Sequence, residues 1–183
     1  IKYVQLVEAD TLDNALNLLE TVKFDYAVPP YNVTSVDVTK IITFIKTLRD
    51  NKNINVKAVL PNAKADHEGI INFTTDNIVV GDEAFKTAEY CSRIAGLLAG
   101  TPLNISATYQ PLTEVTDVPK FTKAELDTKV DNGEFIIFND GEKIKTGRAV
   151  TSLTTTTADK AEDLKSIKIV DTMDLIYNDI KRT

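Results

Sequence analysis

His67 is the only histidine in the chain, and it stands between Asp66 and Glu68. An imidazole beside carboxylates is the arrangement that orients a general base or holds a metal. In extended backbone, however, neighbours at i±1 point to opposite sides. The three side chains would then not converge, and the tripeptide reads as a polar turn after Pro61. Cys91 is the single cysteine. It excludes an internal disulfide framework and fits folding in a reducing compartment. Its place on the apolar face of a helical stretch marks a small core residue rather than a nucleophile. One histidine and one distant cysteine fall short of the three or four ligands of a zinc site.

The glycines Gly69, Gly81, Gly96, Gly100, Gly133, Gly141 and Gly147 form neither a dinucleotide fingerprint nor a phosphate loop. The first expected strand is followed by Ala9-Asp10-Thr11, where a phosphate would meet a carboxylate instead of backbone donors. The acidic pairs Asp10/Asp13, Asp159/Glu162 and Asp171/Asp174 are spaced as helix-start pairs. No catalytic residue, bound cofactor or metal ligand is expected. The net charge of −6, without any basic run, argues against a nucleic-acid module. No apolar run approaches the ~20 residues of a membrane span, and no signal peptide is visible.

The elements expected to carry these residues begin as an alternation. Residues 1–8 read as a strand. A helix capped by Asp10 follows, with Leu12, Leu16 and Leu19 at helical spacing. Residues 24–28 form a second strand, closed by Pro29-Pro30. A longer helix from Ser35 carries the stripe Val38, Ile41, Ile45 and Leu48. Residues 56–60 make a third strand. This β-α-β-α-β start predicts an α/β fold with parallel strands and both helices on one face of the sheet.

The second half reads as α+β, so the expected whole is a mixed sheet flanked by helices, with hairpins. Residues 70–74 and 78–80 suit a hairpin around Thr75-Asp76-Asn77. A helix over 83–99, capped by Asp82, would bury Phe85, Ala88, Cys91, Ala95 and Leu98, and stop at a C′ Gly100. Residues 105–109 and 112–118 read as extended. A short helix runs from Phe121 or Thr122 to Gly133. A strand over 135–138, the turn Asn139-Asp140-Gly141 and a returning strand over 143–153 follow. Residues 154–162 read as an exposed loop and 166–170 as a strand. A last helix, capped by Asp171, would bury Met173, Ile176 and Ile180. A soft boundary near Pro119 divides 1–118 from 119–183, unless the chain is a single domain.

Five segments then occur in a characteristic order: H-E-G-I-I-N-F (67–73), R-I-A-G-L-L-A-G-T-P-L-N-I-S-A-T-Y (93–109), F-I-I-F-N-D-G-E-K (135–143), R-A-V-T-S-L-T-T (148–155) and K-I-V-D-T-M-D-L-I-Y-N-D-I-K-R-T (168–183). Together they resemble the tail sheath protein of contractile phage tails, in the branch of Gram-positive hosts that includes prophage tails and R-type bacteriocins. The resemblance implies a structural subunit that stacks in rings around a tail tube and contracts to drive the tube through a bacterial envelope. It implies no cofactor. The implied partners are neighbouring sheath subunits, the tube protein and the baseplate, with neither nucleic acid nor membrane bound. Assembly would take place in the bacterial cytoplasm, before release in a phage tail or bacteriocin particle.

Sheath proteins link neighbours through terminal arms that add strands to an adjacent sheet. They also continue past the I-K-R-T helix. This chain is therefore expected to be a core without arms, monomeric on its own. Lys165, Lys168, Lys181 and Arg182 are the candidate assembly contacts. Arg148, amid apolar strands, is expected to form a structural ion pair. The competing reading is a nucleotide- or small-molecule-binding α/β enzyme domain. It requires a deep pocket with convergent polar groups at the carboxyl ends of the strands.

Overall fold

The computed structural model describes residues 3–181. In chain order its elements begin with α1 (Leu12–Glu20), β1 (Tyr26–Ala27), α2 (Ser35–Lys46) with a π-helical extension (Thr47–Asn51), β2 (Lys57–Pro61) and β3 (Ile70–Phe73). They continue with β4 (Ile78–Val80), β5 (Glu83–Phe85), α3 (Thr87–Gly100), β6 (Val115–Asp117), α4 (Lys123–Asp131) and β7 (Glu134–Phe135). The chain closes with β8 (Ile137–Asn139), β9 (Ile144–Thr146), a 3-10 turn (Glu162–Lys165) and α5 (Ile167–Ile180).

The centre is a parallel sheet in the order β1-β2-β3-β7. Successive strand residues face opposite sides, and this splits the core in two. Ala58, Leu60 and Ile70 pack with Leu16 of α1 and with Val38, Ile41, Ile45 and Leu48 of α2. Val59, Ile71, Phe73 and Phe135 pack with Tyr90, Cys91, Ile94, Ala95 and Leu98 of α3. The sheet thus lies between two helical layers, with α1 and α2 on one face as expected. The α3-side cluster also takes in Ile137, Ile144, Ala149 and Ile167, so residues on both sides of Pro119 share one core. A second sheet, β5-β4-β6, and the β8–β9 hairpin are antiparallel.

Several expected elements form differently. Residues 3–8 pair with no strand, and Tyr3, Val4 and Leu6 are exposed; Ile1 and Lys2 lie outside the described residues. The alternation therefore starts on α1, whose cap is Thr11 rather than Asp10. The hairpin turns at Gly81 (φ +62°), not at 75–77, so β3 joins the parallel sheet while β4 pairs with β5. That pairing uses residues 83–85, and α3 begins only at Thr87, whose backbone N–H and hydroxyl donate to Asp76. The helix stops at Gly100 because Thr101 turns extended before Pro102; Gly100 is not among the left-handed glycines.

Residues 105–109 form turns and end on a left-handed Tyr109 (φ +58°). Of 112–118 only β6 pairs, and 135–138 divides at Ile136 as the chain leaves one sheet for another. The expected strands over 143–153 and 166–170 reduce to β9 and a single bridge, Val150–Ser166. Residues 167–170 are instead the first turn of α5. Its buried residues are Ile167, Val170 and Asp174, whereas Met173, Ile176 and Ile180 are exposed.

Candidate functional site: a buried charge cluster under the sheet

The described residues gather their buried charge at the amino ends of the parallel strands. On a helix, residues at i and i+3 share a face, and α5 presents Asp171 and Asp174 together. Asp174 accepts two parallel hydrogen bonds from Arg49, both 3.0 Å, and a third from Lys57 Nζ at 2.7 Å. The planar guanidinium matches a carboxylate in this forked geometry. Lys57 Nζ is also 2.9 Å from Asp171, which accepts the Tyr26 hydroxyl. Arg49 donates to the Val56 carbonyl at 3.2 Å, and its Nε lies 3.7 Å from Glu68. Glu68 in turn accepts from Lys160 at 3.0 Å. Burial pushes the Asp174 carboxyl up, but the hydrogen bonds and charges of Arg49 and Lys57 outweigh it and hold the group below its ordinary value. Burial and the adjoining Asp171 carboxylate raise Tyr26 well above the usual phenol range.

His67 joins this cluster through the connection from β2 to β3. Residues 62–69 return the chain to a parallel neighbour without a helix, by left-handed turns at Asn62 (φ +51°) and Asp66 (φ +48°). Asp66 faces outward and accepts the backbone N–H groups of Thr154 and Thr155. His67 and Glu68 face inward, with Nε2 3.7 Å from a Glu68 oxygen. The expectation that the side chains at 66–68 point apart therefore fails for one pair, because the backbone there is turned rather than extended. His67 is buried; its Nδ1 accepts the Gly69 N–H at 3.0 Å, and Nε2 lies 3.2 Å from both oxygens of Asp50.

An Nδ1 that accepts leaves the ring proton on Nε2. The ring is thus a neutral donor to Asp50. Burial lowers its pKa, although Glu68 and Asp50 oppose the shift. Donor atoms of Asp50, His67 and Glu68 lie within 4.8 Å of one another. They do not suit a cation: Nε2 carries a proton, and Lys160 and Arg49 already neutralise the carboxylates. The cluster does bind α5, the end of α2, the β2–β3 connection and the 154–162 loop to the base of the sheet. Sequence reasoning missed it. The signals were a lysine opening an apolar strand (Lys57) and two aspartates inside an apolar helical run.

The remaining expectations fall as follows. Cys91 is buried in the core, and its thiol is pushed up to about 12 by burial. Arg148 is exposed and makes no ion pair among the described residues, because the segment after β9 leaves the sheet. Lys168 binds the carbonyls of Leu103 and Ile105. Lys165 lies 3.9 Å from Glu162. Lys181 reaches the Asn53 carbonyl at 3.4 Å and lies over the Tyr177 ring. Lys168 and Lys181 stand at opposite ends of α5, about 20 Å apart, and Arg182 lies outside the described residues.

Among the described residues, the carboxyl ends of the strands carry no comparable cluster. Strand order runs one way from β1 to β7, without the reversal that opens a ligand crevice. An open groove of about 380 Å³ lies elsewhere, between α1 and α2, over Leu16, Phe44 and Leu48. No helix among the described residues is long and apolar enough to cross a membrane.

Residues 5–152 match the family model described as phage tail sheath protein central domain. The tail sheath protein of Clostridium phage phiCD119 is 45% identical over 174 residues, covering 95% of this chain and 48% of that protein. The crystal structure of a sheath tail protein from Desulfitobacterium hafniense superimposes with a TM-score of 0.85 at 28% identity, over 93% of this chain and 42% of the other. The contracted helical sheath of the anti-feeding prophage shares the fold at 12% identity (TM-score 0.67, over 98% of this chain and 52% of that one). The chain thus spans about half the length of the curated phiCD119 relative. With the match covering most of the described residues, the chain belongs to the phage tail sheath family.

Proposed function

We propose that this chain forms the core of a structural subunit of a contractile tail sheath, which polymerises around a tail tube and contracts to drive it through a bacterial envelope. The observation that carries this reading is the sheath-family match over residues 5–152, on a fold whose buried charges are spent on one another. A cluster so closed on itself holds elements together and offers no group to a substrate, so the subunit acts as a non-enzymatic building block. Contraction then changes how rigid domains dock on their neighbours, and the ion pairs beneath the sheet keep α5 and the central domain moving as one body. The parts 1–118 and 119–183 are read as one unit, a reading supported by the core that residues on both sides of Pro119 share.

The partners are neighbouring sheath subunits, the tube protein and the baseplate, with no nucleic acid. The 183-residue chain alone is monomeric. Lys165, Lys168, Lys181 and Arg182 remain the candidate assembly contacts, with Lys168 also binding the Leu103 and Ile105 carbonyls. Assembly in the bacterial cytoplasm precedes release in a tail particle. Electron microscopy of the complete gene product expressed alone tests the reading. Tubes of stacked rings are the expected result; a dispersed protein at all concentrations would overturn it.

A further inference from the structure

His67 and Lys160 face the same two carboxylates. Lys160 Nζ is 3.0 Å from Glu68 and 3.8 Å from Asp50. His67 Nε2 is 3.2 Å from Asp50 and 3.7 Å from Glu68. Arg49 Nε, buried and without a hydrogen bond, also faces Glu68 at 3.7 Å. The other charges around the ring are Lys46, which binds the Ala65 carbonyl, Asp66 on the same connection, and Asp174, which holds Arg49 from α5. Burial pushes Asp50 and Glu68 up, but His67 and Lys160 outweigh it and keep both below their ordinary values. Both carboxylates therefore stay ionised while the imidazole titrates.

A second ring proton upsets this arrangement. It would sit on Nδ1, which accepts the Gly69 N–H at 3.0 Å. Two donors cannot share that contact, so the ring must move off Gly69. It also becomes a buried cation that needs Asp50 and Glu68 for itself. Of the cations at these carboxylates, Lys160 is the one able to leave. Its side chain is 29% exposed, against 8% for Arg49 and 2% for His67, and an ammonium on a flexible stem is strongly hydrated. Lys160 is also what ties residues 156–160 down. Among the described residues, the polar contacts of that stretch outside itself are those of Lys160. The flanks are fixed separately: Thr154 and Thr155 donate to Asp66, and Thr151 donates to the Leu164 carbonyl.

We infer that His67 and Lys160 form an acid-sensitive latch, in which protonation of the ring displaces Lys160 and frees residues 156–160 between their fixed flanks. With the latch open the ring regains water and its ordinary value near 6.5, so each pH unit below that favours release by up to about tenfold. NMR on the 183-residue chain, from about pH 7.5 to 4.5, tests this. The His67 ring shifts report protonation, and backbone amide order parameters report the 156–160 stretch in the same samples. As the ring is protonated, the order parameters there should fall from about 0.85 to below about 0.6, while those of Thr154 and Thr155 hold. His67→Gln should keep the stretch ordered throughout. Lys160→Met should leave it mobile at every pH, which tests the latch even where the first variant does not fold. A ring that stays neutral until the protein unfolds would overturn the inference. So would a stretch that stays ordered beside a protonated ring, or an acid response that survives in either variant.

Discussion

Replacing Asp174 by alanine removes the acceptor that α5 offers to two buried cations. The side chains of Asp174, Arg49 and Lys57 are 10%, 8% and 4% exposed. Deleting one partner of a buried pair costs about 3–5 kcal/mol, because the charge left behind has lost both water and its counter-ion. Here Lys57 keeps Asp171, and Arg49 keeps the Val56 carbonyl and the more distant Glu68. The loss should therefore fall near the lower end, about 3 kcal/mol. For a chain of this size each kcal/mol moves the midpoint by roughly 2–4 °C, so a drop of roughly 6–12 °C is expected. Urea unfolding followed by circular dichroism gives the free energy directly. Acid supplies an internal check. Asp174 is held below its ordinary value in the fold, so its contribution is complete above the unfolded value near 3.9 and is lost as pH falls through the lower folded value. The gap between parent and variant should narrow in that window. A loss below about 1 kcal/mol at neutral pH would refute the argument that the Asp174 ion pairs hold α5 in addition to the packing of Ile167 and Val170.

Burial keeps His67 neutral in the fold, with its pKa below the unfolded ~6.5. The unfolded chain then binds more protons, so stability is full above about pH 6.5 and declines as pH drops toward the folded value, by up to about 1.4 kcal/mol per unit. His67→Gln should flatten that slope in unfolding curves taken from pH 7 to 5; an unchanged slope would place the titration elsewhere. A methyl group at Gly69 would clash with the Arg49 side chain and approach both His67 and Ile45 to 3.1 Å. Gly69→Ala should cost about 1–3 kcal/mol by overpacking, and a neutral result in thermal melts would show that the β2–β3 connection yields. Cys91, buried and pushed up to about 12, should react with a thiol reagent only on unfolding, at the rate read from hydrogen exchange in α3; rapid reaction in the native state contradicts its place in the core.

Some local readings hold, although the caps expected at Asp10, Asp82 and Asp171 do not. The stripe Val38, Ile41, Ile45 and Leu48 is buried as its spacing requires, and Thr122 caps α4 reciprocally with Glu125. The Asn139-Asp140-Gly141 turn forms with Gly141 left-handed at φ +101° and Asp140 accepting the backbone N–H groups of Glu142 and Lys143. Strands fared worse, because a strand exists only through its partner. Residues 1–8 alternate as a strand does, yet no ladder forms along the described part. Residues 70–74 and 78–80 look like two arms of one hairpin, yet they belong to different sheets. The charge cluster was hidden for the same reason: Arg49, Lys57 and Asp174 are far apart in the chain, and no local spacing relates them.

Residue types and periodicities by themselves determined the helices, the parallel start, the absence of a phosphate-binding glycine loop and the resemblance to sheath proteins. These follow from interactions within a few residues, or from family-wide segments. Tertiary structure alone decided which side of α5 is inside. An apolar stripe states which side chains favour burial, but not whether a partner surface reaches them. In this chain Asp174 and Lys57 found each other across the fold, and the Met173–Ile176–Ile180 stripe was left facing outward.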